Sequence, residues 1–280
     1  MNAKKLSAIL TLEDNSTVVF DIPIVITQPV PTPTPPQNKK HILLNCINWA
    51  PLANLPLSSA SEFTYFILPV NADGSLTGAS PTLETKFVKD VHAAGKKATF
   101  SIGGGSQNTN LISTAITQKI NLVNAINDHI NAWGYDGVTL DIENTSLNPQ
   151  VIVDFINALR IKIGNDKIIG CYTQPYQLNT VWSKVDQVIN SITWLAPMVY
   201  DFPNAVAEFK TLTALWLAKV PKEKLLAGAA VNYDATGLDL NEFPQILEWV
   251  NTQGLGGVGI WNNQLYTQPY QDLVKQKLNF

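Results

Sequence analysis

Cysteine is nearly absent. Only Cys46 and Cys171 occur among 280 residues, too few for a disulfide framework, and no Cys-x-x-Cys pair exists. Both fall in apolar runs and read as buried thiols. Histidine is as scarce. His41, His92 and His129 show no His-Glu-x-x-His or other ligand spacing, so neither a histidine-built metal centre nor any other cofactor is expected. An excess of one charge is also missing. Nineteen Lys+Arg against 22 Asp+Glu leave a net charge of -3, whereas nucleic acid and anionic membranes attract basic patches. No stretch approaches the roughly 18 to 20 apolar residues of a membrane span. After Lys4-Lys5 the apolar stretch Leu6 to Leu12 is interrupted by Ser7 and Thr11 and runs into Glu13-Asp14. No cleavable signal peptide is evident there, and the segment reads as retained. Localisation stays open.

What is present is core-forming chain. Apolar residues make up 45% and charged residues 15%, the balance of a packed protein rather than a disordered one. The clearest break is Gln28 to Lys40, QPVPTPTPPQNKK, with five prolines within Pro29 to Pro36. Proline fixes φ and donates no hydrogen bond, which predicts an extended, semi-rigid linker over 28–40. Residues 1–27 read as two or three short β segments around the turn cluster Glu13-Asp14-Asn15-Ser16. So short a piece cannot bury a stable core alone. It is expected to pair with its own copies, a partner protein or the main domain, and so to be an attachment arm.

Residues 41–280 alternate regularly. Apolar, β-rich runs occur at His41–Ile47, Thr64–Val70, Ala98–Ile102, Gly137–Ile142, Ile168–Tyr172, Thr193–Tyr200, Leu225–Ala230 and Gly257–Trp261. Helical patterns lie between most of them, such as Ile120, Val123, Ile126, Ile130 and Trp133. Eight such units predict an α/β fold, a closed (β/α)8 TIM barrel, with an open doubly wound sheet as the competitor. Barrels carry their chemistry where strands end. Here the runs stop at Asn48-Trp49, Ser101 to Gly105, Asp141 to Asn144, Tyr172 to Gln174, Met198 to Asp201, Asn232 to Asp234 and Trp261 to Asn263. Aromatic faces suit the C–H surfaces of a sugar, and amides and carboxylates suit its hydroxyls. Gly254 to Gly259 fits G-x-G-x-x-G literally, but it precedes a strand and is a helix-to-strand turn.

The segment Asp136 to Glu143, DGVTLDIE, carries the most chemistry. On a strand Thr139, Asp141 and Glu143 share one face. In a barrel that face is the interior. Two carboxylates side by side cannot both ionise cheaply, so one retains its proton near neutral pH, as general acid cleavage of a glycoside needs. A structural pair bound to Lys or Arg is the competing reading, and no basic residue stands at these strand ends.

The chain here resembles glycoside hydrolase family 18, the chitinase and endo-β-N-acetylglucosaminidase family. DGVTLDIE matches its D-G-x-D-x-D-x-E motif, Ser101 to Gly104 its S-x-G-G, and Met198 to Asp201 its Met-x-Tyr-Asp/Asn. Trp261 matches its final-strand tryptophan. The matches fall in order across 41–280. The resemblance implies a retaining, substrate-assisted endo-glycosidase of β-1,4-linked N-acetylglucosamine polymers: chitin-like chains, peptidoglycan or N-glycans. It implies Glu143 as proton donor and later base, Asp141 on the acetamido N–H, Tyr200 on the acetamido oxygen with Asp201 beside it, and Trp261 as floor. Ser101, Gly103, Gly104, Thr139, Met198, Trp49, Asn144, Tyr172 and Gln174 complete the expected substrate site. The sequence departs from the family at Thr139, where an aspartate is usual. Threonine cannot take a proton, which implies a shifted pH profile. It also admits a second class, a lectin-like barrel that holds the glycan uncut. A third class is a barrel displayed through residues 1–27 on an assembly such as a virion. Only Val231 to Gly256 joins the last two runs, too short for the α+β insertion of some family members, so an open groove is expected.

Overall fold

The structure is a computed structural model that describes residues 5–11, 17–23, 39–49, 51–78, 80–143, 146–200, 202, 204–233 and 236–280. The chain divides into two compact units, Met1–Pro31 and Thr32–Phe280. In the first, β1 (Lys5–Thr11) pairs antiparallel with β2 (Thr17–Pro23), from Lys5 opposite Pro23 to Thr11 opposite Thr17. Most of the proline-rich segment, 24–38, lies outside the described residues.

The second unit is the barrel. Its strands are β3 (His41–Ile47), β4 (Glu62–Leu68), β5 (Lys97–Gly103), β6 (Gly137–Ile142), β7 (Ile168–Thr173), β8 (Trp194–Pro197), β9 (Leu226–Ala230) and β10 (Gly257–Trp261). All neighbours are parallel, in the order β8-β7-β6-β5-β4-β3-β10-β9. The two ends meet through bridges from Leu195 to Leu225 and Met198 to Gly228, and Val199 N–H donates to the Gly228 carbonyl at 3.1 Å. A side chain at Gly228 would strike the Pro197 carbonyl at 2.3 Å, so glycine permits the closure. The eight apolar runs are thus the eight strands of a closed barrel.

The helices are α1 (Pro81–Ala93), α2 (Gly105–Thr117), α3 (Lys119–Trp133), α4 (Pro149–Ile163), α5 (Ala205–Leu217), α6 (Phe243–Gln253) and α7 (Gln268–Lys277). Local chemistry sets their ends. Asn148 caps α4 by accepting from Gln150 N–H at 2.9 Å, ahead of Pro149. Gly134 and Gly254 close α3 and α6 in left-handed conformation, so the glycine-rich 254–259 run is the turn into β10. Among the described residues two connections hold no α-helix. The β3–β4 link holds Pro51 and Pro56. The β7–β8 link is built from the short 3-10 turns Pro175–Asn179 and Val185–Gln187.

Two apolar layers result. The larger lies between strands and helices and takes in Cys46 and Cys171, both free thiols. The smaller fills the lumen with Leu43, Tyr172, Trp194, Ala196, Met198 and Leu226. Trp194 fits because strand β7 offers Gly170 opposite it. A Cβ there would lie 2.0 Å from the indole. Below these side chains, at the N-terminal end of the strands, Glu62 is buried. It accepts from Thr99 Oγ1 at 3.1 Å and Trp194 Nε1 at 3.3 Å, and His41 Nε2 lies 2.9 Å away. Asp136, the first aspartate of DGVTLDIE, also belongs to the floor. It takes Lys97 Nζ at 2.8 Å, Ala98 N–H at 2.9 Å and His92 Nε2 at 2.8 Å, which anchors the start of β6. No helix among the described residues is long and apolar enough to cross a membrane.

Candidate active site

Strand alternation sends Thr139 and Asp141 of β6, and Glu143 just beyond it, toward the lumen at rising heights. Thr139 is fully buried among threonines. Its Oγ1 lies 3.4 Å from both Thr64 Oγ1 and Thr99 Oγ1, which are 2.9 Å from each other. Asp141 sits above this trio, 4% exposed, and its Oδ1 has no hydrogen-bond partner among the described residues. Burial, and then the neighbouring Glu143 charge, hold its carboxyl well above the usual carboxylate range.

The Ser101-to-Gly105 segment is shaped by this carboxylate. A Cβ at Gly103 would lie 2.2 Å from the Asp141 carbonyl oxygen, and one at Gly104 2.6 Å from Asp141 Oδ2. Both glycines have positive φ, 88° and 83°, and Gly104 N–H donates to the Asp141 carbonyl at 2.8 Å. Only glycine meets both demands. The turn then opens α2, whose first residue, Gly105, donates its N–H to Glu143 Oε1 at 2.6 Å. Gln174, just past β7, donates Nε2 to Glu143 Oε2 at 2.7 Å.

Glu143 faces a cavity of about 720 Å³ at the C-terminal mouth of the barrel. Its lining includes Trp49, Gly104, Asp141, Gln174, Met198, Tyr200 and Trp261, all expected from the sequence, Tyr233 from the strand end Asn232 to Asp234, and Phe66, which was not expected. Phe66 meets Trp261 edge-on at 4.7 Å between centroids and Trp49 at 6.1 Å. These rings make one aromatic wall, ending at Trp49, which is 62% exposed. Opposite, Tyr200 donates its hydroxyl to Met198 Sδ at 2.9 Å and meets the Tyr233 ring.

Four expected residues do not line the cavity. Ser101, Gly103 and Thr139 lie buried beneath it. Tyr172 is also buried, and its hydroxyl accepts from Asn45 Nδ2 at 2.8 Å. Its inward position on β7 is as expected, but one layer too deep to offer a sugar its face. Burial pushes its hydroxyl well above the ordinary phenol value. Asn144 and Asp201 lie outside the described residues. Phe66 escaped the sequence reading because its run, Thr64–Val70, ends in apolar residues with no polar flag. Its inward register opposite Ile47 was the available signal. Among the described residues no group of three or more His, Cys, Asp or Glu is placed to hold a metal ion.

The lining suits a sugar: aromatic rings stand beside two carboxylates at the mouth of a (β/α)8 barrel. Residues 47–236 match the family model described as glycosyl hydrolases family 18, and the chain belongs to that family. A relative in Bacillus subtilis strain 168, YdhD, named as a sporulation-specific glycosylase, is 25% identical over 199 residues. That match covers 63% of this chain and 46% of YdhD, so the chain spans about half the length of that relative. Among solved structures, a chitinase of Rhizomucor miehei superposes with a TM-score of 0.74 at 15% identity, over 85% of this chain and 99% of its own. The spore cortex-lytic enzyme SleL of Bacillus cereus gives 0.72 at 12% identity, over 86% of this chain and 75% of its own. At such identities these likenesses concern the fold.

Proposed function

We propose that this chain is a retaining endo-glycosidase that cleaves β-1,4-linked N-acetylglucosamine polymers with help from the substrate's own acetamido group. One observation carries the reading. The carboxylates among the described lining residues are Asp141 and Glu143, and they stand on the same wall, two residues apart at the end of one strand. A retaining enzyme that supplies its own nucleophile needs two carboxyl groups flanking the bond, about 5 to 5.5 Å apart. Asp141 and Glu143 stand side by side, and the resemblance to family 18 supplies the rest of the reading, in which the attacking oxygen is the sugar's own acetamido oxygen.

In the proposed reaction Glu143 gives its proton to the leaving glycosidic oxygen as the C1–O bond breaks. The acetamido oxygen closes on C1 from the opposite face. Asp141 holds the acetamido N–H and offsets the positive charge of the ring so formed, while the Tyr200 hydroxyl turns to the acetamido oxygen. Water, deprotonated by Glu143, then opens the ring with overall retention. Trp261 and Met198 form the floor, with Trp49 and Phe66 extending the wall. Asp201 and Asn144 keep the places that the resemblance gives them. Val231 to Gly256 holds only α6 as an α-helix among its described residues, which leaves the groove open for cuts inside a chain.

The test is hydrolysis of chitin oligosaccharides and of peptidoglycan glycan strands, read by product mass, with Glu143→Gln alongside. The names of YdhD and SleL make the cell-wall substrate a fitting second arm. Loss of the proton donor is expected to lower kcat by about 10²- to 10⁴-fold. A parent chain that binds these glycans and releases no product would replace this reading with the lectin one. The buried Thr139, with no proton site beneath Asp141, is what favours that alternative.

A further inference from the structure

Gln174 has so far the place of a wall residue that touches substrate. Its geometry says more. Both oxygens of Glu143 are engaged by donors from fixed elements: Oε1 by Gly105 N–H at 2.6 Å and Oε2 by Gln174 Nε2 at 2.7 Å. Gly105 is the first residue of the 13-residue helix α2, so its N–H stands at the positive end of a helix dipole. Gln174 is equally constrained. Its own N–H meets Gln177 Oε1 at 3.3 Å, and Gln177, fully buried, also accepts from Thr173 Oγ1 at 2.7 Å.

We infer that Gln174 and Gly105 N–H form a receiving site for the charge on Glu143, making Gln174 a positioning residue for the acid step. The inference rests on the glycosidase reading and deepens it. Before reaction a protonated Glu143 accepts these bonds as a neutral group. As the proton passes to the leaving oxygen and the C1–O pair follows it, a full negative charge appears on Glu143, and both bonds strengthen to charge-assisted ones. Interactions that strengthen on the way to the transition state accelerate the step, and preformed donors need no reorganisation to do so. Gly105 contributes through its backbone and is beyond side-chain replacement. Gln174 is not, so it is where the idea can be broken.

The experiment compares kcat/KM for two β-glycosides of N,N′-diacetylchitobiose, in the full chain and in Gln174→Leu. One carries 2,4-dinitrophenol, which leaves without protonation. The other carries a further N-acetylglucosamine, which must be protonated to leave. Loss of acid assistance is expected to cost the sugar substrate at least about tenfold more than the dinitrophenyl one. An equal loss on both would make Gln174 a substrate contact and overturn the inference, and so would no loss on either. A parent chain inactive on both would overturn the glycosidase reading and this role with it. Gln174→Met keeps an unbranched chain of similar length without the donor, and serves if the leucine variant fails to show the parent's circular dichroism and melting.

Discussion

Two buried carboxylates occupy the same barrel lumen and differ in one respect. At the floor, Glu62 has Thr99, Trp194 and His41 around it. Near the mouth, Asp141 is about as inaccessible, yet among the described residues its Oδ1 has no partner, and neither do Ser101 Oγ and Asn45 Oδ1. A buried charge without partners is costly. The floor residue therefore works for the fold. The mouth residue holds a polar atom in reserve, at the expense of stability, for a group that arrives from outside. The proposed substrate acetamido N–H is such a group.

Substitutions that remove each carboxylate should have opposite effects on stability. The largest expected change is in activity. Asp141→Asn should lower kcat by about hundredfold or more, the scale of losing one preorganised electrostatic contact. It should also stabilise the fold in a pH-dependent way. The folded pKa of Asp141 is raised above its unfolded value, so the native state binds the extra proton and parent stability falls as pH rises through that folded value. Asparagine has no such loss. Denaturant melts should therefore show a gain in alkaline buffer that disappears in acid. A gain of equal size at both pH values would detach it from the carboxyl.

Next in size is Glu62→Ala. It leaves Trp194 Nε1 and Thr99 Oγ1 without their acceptor and opens a cavity, and should cost about 3 kcal/mol. A small cost in equilibrium unfolding would erase the contrast between floor and mouth. The smallest effect is expected from Thr139→Asp, which restores the residue usual in the family. In this barrel the position is packed by Thr64 and Thr99 at 3.4 Å, with Glu62 bonded to the same Thr99. A second carboxylate there should lower stability by about 1–2 kcal/mol. An unchanged melting temperature would mean that the trio readily accommodates a charge.

Much of this contrast was legible in the sequence. The eight apolar runs gave the barrel because each strand has apolar residues on both faces and sits about 30 residues from the next. DGVTLDIE gave the carboxylates because alternation fixes their face. Alternation does not fix height. Thus Tyr172 and Trp261 both point inward, but one is buried beneath the cavity and the other is at its floor. Glu62 and Trp194 meet across 132 residues, a contact with no local signature. The β7–β8 link, QPYQLNTVWSKVDQ, carries Leu178, Val181, Trp182 and Val185 at helical spacing, yet it folds into short turns that bury all four, so periodicity alone misleads there. The clamp of Glu143 by Gln174 and Gly105 needs three strands in register and could not be read from any one of them.

The central claim is that cleavage proceeds with retention through an intermediate closed by the substrate's own oxygen, and the first-formed anomer tests the retention on which it stands. Proton NMR of chitin oligosaccharide hydrolysis, taken before mutarotation, should show new reducing ends in the β configuration. New ends in the α configuration would mean direct attack by water on the opposite face, and would contradict the account.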